Sequence, residues 1–272
     1  MKKIVTISFI MILTIVIVGY VGYRVYNNYL ATNFIKEQKE IRINGCKDNI
    51  DLQKKLIVIL NKYYDNDKKK LAKEKKELNN SIDKINDNIN NLMKLKINNE
   101  ILNEIIKQRN DSITNFKKYT EKFNKRKKEL NNLKMSYIAR RRLMNIYLNE
   151  RFYIYENRTT LHRSVKKELQ VLYKEKEYSD SYIKLLEEDS KQITVYIEKY
   201  QEAIKQSSHF INKINNDNKL LIEKYLLLMK EVISMNVEVI SENKQEIDLN
   251  NELILLLKDL ISMYEEVLVI NY

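Results

Sequence analysis

The sequence is poor in the residues that end helices and shape turns. It has no Pro, no Trp, one Cys and three Gly, and neither Gly nor Pro occurs from Cys46 to the C-terminus. Gly supplies positive φ angles and Pro ends helices, so a mixed α/β domain with frequent tight turns is excluded. A single straight helix over this stretch would be roughly 340 Å long. We therefore predict an all-α fold in which long helices form an antiparallel coiled-coil bundle.

The same absences remove the common signatures of catalysis. Without Gly beyond Gly45 there is no glycine-rich loop to hold a phosphate. His162 and His209 are isolated, and a lone Cys cannot complete a zinc site. We predict that the chain is not an enzyme, with no catalytic residue, no metal site and no cofactor.

Charge is unevenly distributed along the chain, whose net charge is +12. Residues 181–272 carry ten Lys against sixteen Asp or Glu, so the first 180 residues hold the whole basic excess. Such an excess favours an anionic partner for the first part. It equally favours packing of the two parts against each other.

An uncharged apolar segment runs from Ile4 to Tyr23, preceded by Lys2 and Lys3. About twenty helical residues match the thickness of the hydrocarbon core of a bilayer. A cleaved signal peptide needs small residues at the cleavage site, and the best pair here includes the large Tyr29. We predict an uncleaved transmembrane signal anchor, with the lipid bilayer as its partner.

The positive-inside rule places Lys2 and Lys3 in the cytoplasm, because Arg24 is the only charge that follows closely. The prediction is a single-pass protein of the cell membrane with an extracytoplasmic body. Its domains are residues 1–3 as the cytoplasmic N-terminus, 4–23 as the anchor, 24–45 as a juxtamembrane stalk and 46–272 as the helical coiled-coil body.

Polar residues predict where the body helices end. The sequence Ile43-Asn44-Gly45-Cys46 is the first predicted break, with Asp48 as the cap of the next helix. Between these residues and residue 89 a single helix is expected. Asn side chains compete for backbone hydrogen bonds, which predicts a turn within residues 86–99. A further turn is expected near residues 176–180.

The C-terminal segment has the clearest heptad pattern. Fifteen positions alternate four and three apart, and all are apolar except Glu242 and Glu246: Leu221, Tyr225, Leu228, Val232, Met235, Val239, Glu242, Glu246, Leu249, Leu253, Leu256, Leu260, Met263, Val267 and Ile270. We call them the α5 stripe. Its acidic polar face disfavours a membrane-surface helix, so helix–helix packing is predicted. The interruption at residues 241–248 predicts either a turn or a polar layer. The pattern allows closure within one chain or a homo-oligomer through residues 221–270.

One surface combines basic and aromatic side chains. Residues 117–142 hold eleven Lys or Arg against Glu121 and Glu129, and a Tyr-rich segment follows. Arg gives bidentate contacts to phosphate or carboxylate, and Tyr adds stacking and hydroxyl hydrogen bonds. The predicted face for an anionic polymer or partner is Arg140, Arg141, Arg142, Tyr147, Arg151, Tyr153, Tyr155, Arg158 and Arg163. In the competing interpretation the Tyr residues fill the bundle and the Arg residues pair with the acidic C-terminal helices.

Several segments, in this order, resemble the cell-wall-binding lipoprotein family of Gram-positive bacteria. They are Gly45-Cys46 with the charged helix behind it, YIARRRLMNIYLNERFYIYENR, ELQVLYKEKEYSDSYIKLL and HFINKINNDNK, and they cover about residues 46–225. The resemblance implies an all-helical body on the outer face of the membrane without known catalytic residues. In that family the acylated Cys directly follows the apolar core, whereas Cys46 lies well beyond Tyr23, so here the transmembrane helix replaces the lipid.

These features predict a membrane-anchored coiled-coil protein of the cell envelope that binds or scaffolds at the outer face of the membrane and contacts an anionic cell-wall polymer. Nucleic acid is not an expected partner of an external body. The alternative is a membrane scaffold that faces the cytoplasm, of the division-ring or membrane-organising type. Membrane topology distinguishes the two.

Overall fold

The chain is all-α, as its sequence predicts. The computed structural model describes residues 2–95, 99–149, 158–213 and 216–270, with most side chains from residue 16 onward. These ranges contain no strand. Their helices are α1 (Lys2–Tyr63), α2 (Lys68–Lys94), α3 (Asn99–Asn149), α4 (Arg158–Phe210) and α5 (Asn216–Ile270), and the 3-10 helix Ile211–Lys213 precedes α5.

The predicted anchor lies in the first part of α1. Across the described part of the chain, no helix is both long and apolar enough to cross a bilayer. Residues 4–15 of the predicted anchor lie outside the residues whose side chains are described.

The predicted break at residues 43–46 is wrong, because α1 continues without interruption from Lys2 to Tyr63. Gly45 keeps its helical place and lies against the ring of Tyr196, where an added Cβ would be 3.5 Å from Cζ. That distance is an ordinary van der Waals contact, so the packing of α4 against α1 does not require a glycine here. Asp48 lies inside α1 and not at a helix N-terminus.

The first real turn falls at residues 64–67, where a continuous helix was expected. The N–H of Lys70 donates to Oδ1 of Asp67 at 3.0 Å, so Asp67 caps the N-terminus of α2. The N–H of Tyr64 still donates to the carbonyl of Leu60 at 2.9 Å, which completes the last turn of α1. A short acidic and amide sequence, Asp65-Asn66-Asp67, is enough to reverse the chain.

Two other predicted turns have opposite outcomes. The interruption between α2 and α3 lies inside residues 86–99, since α2 ends at Lys94 and α3 begins at Asn99. The turn expected near residues 176–180 is absent, because α4 is helical throughout that region. At residues 241–248 α5 is also continuous, so the polar layer is the correct alternative there.

The chain divides into two compact units, each built from separated stretches. Unit 1 comprises Met1–Cys46, Asp87–Ile113 and Tyr196–Ser234. Its core includes Phe34, Leu92, Ile105, Ile222 and Met229, so part of the predicted stalk is packed within this unit.

Polar contacts complete unit 1. The Lys39 ammonium donates to the carbonyls of Met93 and Leu95, at 3.4 and 3.2 Å, and so satisfies backbone groups at the end of α2. Gln38 is fully buried and accepts from the hydroxyl of Tyr225 at 3.5 Å.

Unit 2 comprises Lys47–Asn86, Thr114–Val195 and Met235–Tyr272. Its core joins α3, α4 and α5 through the side chains of Leu130, Tyr137, Val165, Leu169, Leu172, Leu253, Leu257, Leu260, Ile261 and Val267. Burying one Leu contributes about 1.5–3 kcal/mol, so this cluster is a major source of the stability of unit 2.

Charged pairs show the directions of the helices in unit 2. Lys55 pairs with Glu188 at 2.6 Å and Lys62 with Glu177 at 3.7 Å, so α1 and α4 are antiparallel. Between α3 and α5 the partners instead increase together, at seven-residue steps: Lys127 with Gln245, Lys134 with Glu252 and Arg141 with Asp259. We call these three pairs the α3–α5 ladder. These two helices are parallel, which differs from a purely antiparallel arrangement.

The described members of the α5 stripe are all buried or half-buried, and none is exposed. Its two acidic members, Glu242 and Glu246, are 6% and 4% exposed. The heptad pattern therefore marks the face that α5 buries within the chain.

Leu260 and Leu255 offer a matched test of this packing. Leu260 is 0% exposed and Leu255 is 62% exposed on the same helix. We expect Leu260→Ala to lower the free energy of unfolding by about 2–5 kcal/mol, because it leaves a cavity. Leu255→Ala should change it by less than about 0.5 kcal/mol. Urea denaturation of the full chain, followed by circular dichroism, measures both; equal losses would contradict the assigned faces.

Candidate functional site

The predicted basic–aromatic face is only partly within the described residues. The side chains of Arg140, Arg141, Arg142 and Arg163 are described. Those of the remaining five predicted residues lie outside the described residues: Tyr147, Arg151, Tyr153, Tyr155 and Arg158.

Two of the four described arginines pair with acidic side chains of neighbouring helices. Arg140 lies 3.4 Å from Glu168 on α4, and Arg141 lies 3.2 Å from Asp259 on α5. Arg142 and Arg163 are exposed and have no ion pair with a described residue. Arg140 and Arg141 are thus paired within the protein. Arg142 and Arg163 lie on the outer surface.

The lysines of α3 divide in the same way. Lys127 and Lys134 belong to the α3–α5 ladder. Lys118, Lys122 and Lys125 are exposed, and within the described ranges none of them forms an ion pair. Their spacing of four and three places them on one face of the helix, so they form a basic stripe open to solvent. We call these three residues the α3 lysine stripe.

On the buried side of unit 2, α3, α4 and α5 together place a layer of polar residues in the core. The layer consists of Arg126, Asp189, Glu242, Asn243 and Glu246, and we call it the buried polar layer. The amide of Asn243 donates to Oδ2 of Asp189 at 2.9 Å, and Nε of Arg126 lies 3.5 Å from Oε1 of Glu246. Of the three carboxyl groups in this layer, Glu246 pairs with the guanidinium and Asp189 accepts from the amide of Asn243.

Tyrosine rings surround the guanidinium of Arg126. It lies 5.8 Å from the ring centroid of Tyr178 and 5.6 Å from that of Tyr182, which are favourable cation–π distances. Tyr63 stacks on Tyr178 with centroids 4.2 Å apart. Burial raises the pKa of Tyr63 and of Tyr178 to about 12, so both rings are neutral at physiological pH.

Burial raises the pKa of each of the three carboxyl groups in the buried polar layer. For Asp189 the hydrogen bond from Asn243 opposes this rise, and for Glu246 the charge of Arg126 does so. For Glu242 the charge of Glu238 adds to the effect of burial. One carboxyl oxygen of Glu242 has no hydrogen-bond partner among the described residues, which is a costly arrangement for an ionised group.

A cleft of about 410 Å³ opens beside this layer. Its wall includes Tyr63, Tyr64, Tyr137, Arg126 and Glu175. The hydroxyl of Tyr137 donates to the carboxylate of Glu175, and burial raises the pKa of that carboxyl. We call it the unit 2 cleft.

Within the described ranges, metal-binding side chains are not brought together. No cluster of three or more His, Cys, Asp or Glu in the described part of the chain could hold a metal ion. Nδ1 of His209 lies 3.0 Å from the carbonyl of Lys205 on the surface of α4. The side chain of His162 lies outside the described residues.

No protein-family model matches the chain, and neither a curated protein nor a solved structure resembles it significantly. The site is therefore interpreted from its own residues.

Sequence reasoning identified part of this arrangement. The stripe interruption at Glu242 and Glu246 correctly marked the polar layer. The sequence did not predict that Tyr63 and Arg126 pack against Tyr178, because these residues come from three helices and no spacing in the sequence links them. The i, i+4 pair of Tyr178 and Tyr182 was the one available signal.

The buried carboxyl groups predict that stability depends on pH. A carboxyl group whose pKa is higher in the folded state holds its proton more tightly there. Its favourable contribution is complete below the unfolded pKa near 4 and is lost as the pH rises through the raised folded value. We expect urea midpoints of the full chain to fall from about pH 4 toward neutrality.

Glu242→Gln tests the source of this dependence at pH 7. Removing the buried charge while keeping the shape should stabilise the chain by about 1 kcal/mol and weaken the pH dependence. Glu266→Gln, at an exposed position of α5, is the control and should have little effect. A destabilised Glu242→Gln variant at pH 7 would refute the assignment.

Proposed function

We propose that this chain is a membrane-anchored, helical coiled-coil scaffold of the cell envelope. Its body lies on the outer face of the membrane, and an anionic cell-wall polymer is its partner. The proposal is supported above all by apolar surface that α1 leaves uncovered. Val16, Ile17, Val18, Val21 and Val25 are each more than half exposed.

Soluble proteins seldom expose a continuous apolar surface without a partner. This surface directly follows residues 4–15, whose sequence is equally apolar. Among the side chains described from residue 16 onward, the first buried ones are Asn27 and Ala31. Lipid is the partner whose chemistry fits such a segment, with Tyr20 and Tyr23 suited to the membrane interface.

The scaffold part of the proposal is supported by helix length and packing. Four helices have more than fifty residues, and α5 buries its stripe along unit 1 and unit 2 alike. The α3–α5 ladder repeats every seven residues, as charged positions beside a coiled-coil seam do. Pairing of two chains through residues 221–270 stays a prediction.

The polymer part of the proposal is supported by the exposed bases. The α3 lysine stripe, Arg142 and Arg163 have no internal ion pairs within the described residues. Basic residues repeated along one face of a helix suit a partner with repeated negative charges. The similarity to cell-wall-binding lipoproteins agrees with this proposal and stays a prediction as well.

The double variant Val16→Arg/Val18→Arg tests the anchor. Each Arg within the apolar segment costs up to about 3 kcal/mol of insertion free energy. We expect the double variant to move from the carbonate-washed membrane pellet to the supernatant. The matched control, Val58→Arg/Val195→Arg, changes two exposed valines of unit 2 and should stay in the pellet. A double variant that sediments like the wild type would contradict the anchor.

Cysteine labelling in the same cells shows on which side of the membrane the body lies. Cys46 is half-buried and burial raises the pKa of its thiol, so it reacts slowly. The variant Cys46→Ala/Ser136→Cys places the only thiol at an exposed position of α3. A membrane-impermeant maleimide should label it in intact cells. Labelling only after permeabilisation would favour the scaffold that faces the cytoplasm.

Charge reversal tests the polymer surface. We expect Lys118→Glu/Lys122→Glu/Lys125→Glu, in full chain reconstituted into phosphatidylcholine vesicles, to bind immobilised teichoic acid at least about tenfold more weakly. The reason is that a basic residue near an anionic surface contributes about 1 kcal/mol. The control Lys184→Glu/Lys191→Glu/Lys258→Glu makes the same charge change at exposed lysines elsewhere in unit 2. Equal losses in both variants would refute a specific surface.

A further inference from the structure

The unit 2 cleft contains a hydroxyl group that the protein leaves without a partner. Ser179 lines the cleft, is 7% exposed, and forms no hydrogen bond with any described residue. Its oxygen is not among the fully buried side-chain atoms that lack a partner, so it is reached from the cleft. Helical serines commonly donate to a carbonyl of the preceding turn, as Ser190 does to Leu186 at 2.8 Å. Ser179 does not, so its hydroxyl is available to a molecule in the cleft.

The charges around the cleft disfavour an ionic ligand. Two cations, Lys70 and Arg126, and two carboxylates, Glu129 and Glu175, line it. Their formal charges cancel. Phosphate would meet two carboxylates, and a cation would meet an ammonium and a guanidinium. A neutral ligand avoids both conflicts.

The ring faces that could hold a foreign cation are occupied by cations of the protein itself. Nζ of Lys70 lies 4.6 Å from the ring centroid of Tyr64, and Arg126 covers Tyr178. An aromatic cage for a quaternary ammonium needs these faces free. The rings therefore act as neutral walls.

The remaining walls are of two kinds. Leu130, Leu253 and Leu257 form an apolar side, and Asn132, Glu175 and Ser179 supply donors and acceptors. A ligand with an apolar face and several hydroxyl groups matches both. The volume of about 410 Å³ is within the usual range of small-molecule sites and accommodates one or two six-membered sugar rings.

From these observations we propose that the unit 2 cleft is a binding site for a neutral sugar, whose hydroxyl groups bond to Ser179 and Glu175 while its C–H face packs on the leucines. The site is separate from the α3 lysine stripe and from the anchor. We infer from this a second recognition surface, one on which the charges of the lining residues cancel.

Saturation-transfer NMR on the full chain tests the proposal. The chain is held in phosphatidylcholine vesicles, because detergents with sugar headgroups would compete for the cleft. The probes are glucose and N-acetylglucosamine, with glucosamine and glucuronate as charged analogues. We expect the two neutral sugars to bind and the charged analogues to bind more weakly. Tyrosine fluorescence gives an independent readout, because the chain has no Trp.

Substitutions at Ser179 locate the site. Ser179→Ala should weaken binding about threefold to tenfold, which is the usual contribution of one neutral hydrogen bond. Ser179→Leu should abolish it by filling the cleft, and circular dichroism reports whether either variant still folds. Ser136→Ala, at an exposed serine of α3, should bind like the wild type.

Three results would each overturn the proposal. They are no binding of the neutral sugars, tighter binding of a charged analogue, and unchanged binding to both Ser179 variants. None of these results depends on the polymer surface. Retention on teichoic acid and sedimentation with membranes are measured with other residues, so the proposed function and the sugar site can fail separately.

Discussion

The parallel register of α3 and α5 is the constraint on which the organisation of unit 2 depends. Lys127 with Gln245 and Lys134 with Glu252 are both separated by 118 residues, and Arg141 with Asp259 keeps the same offset. Because the ladder repeats every seven residues, the seam between the helices keeps one face toward the core over several turns. That register places Arg126 opposite Glu246 and Leu130 and Tyr137 against Leu253 and Leu257. A slip by one heptad would move the buried polar layer onto leucines.

The polar layer explains why such a slip is disfavoured. Apolar residues alone would tolerate several registers, since one leucine layer resembles the next. Glu246 facing a leucine would lose its ion pair with Arg126, at a cost of several kcal/mol. We therefore interpret Glu242, Asn243 and Glu246 as residues that lower stability at neutral pH and in return specify the alignment, the role that polar residues have at coiled-coil core positions. The Tyr63, Tyr178 and Tyr182 rings shield the layer and leave the adjoining cleft beside it.

The sequence predicted the periodic features of single helices. It did not predict the helix ends or the contacts between residues of different helices. The α5 stripe identified both the buried face and its polar interruption, because a heptad is a property of one helix. Helix ends were harder. Gly45 lies inside a helix because the packing of α1 in unit 1 outweighs the low helix propensity of one glycine. Residues 176–180 stay helical because Tyr178 and Ser179 are packed in unit 2. The turn at residues 64–67 depends on a single cap by Asp67. For the site, composition correctly located basic residues, but only the structure separates Arg140 and Arg141, which face Glu168 and Asp259, from Arg142 and Arg163.

This separation connects the fold with the proposed function. The basic segment of α3 has two faces, and the acidic residues of α4 and α5 neutralise only one of them. Partly exposed ion pairs contribute little individually, about 0–1 kcal/mol, so the inner face sets register more than stability. The outer face keeps its charge open to solvent, as the proposed anionic partner requires, and its lysines are not members of the ladder. In the proposed function, one set of basic residues aligns α3 with α5 and another set binds an anionic polymer. The two sets stay separate because their heptad positions place them on different faces of the helix. Under the proposed function, binding and folding therefore depend on different residues of α3.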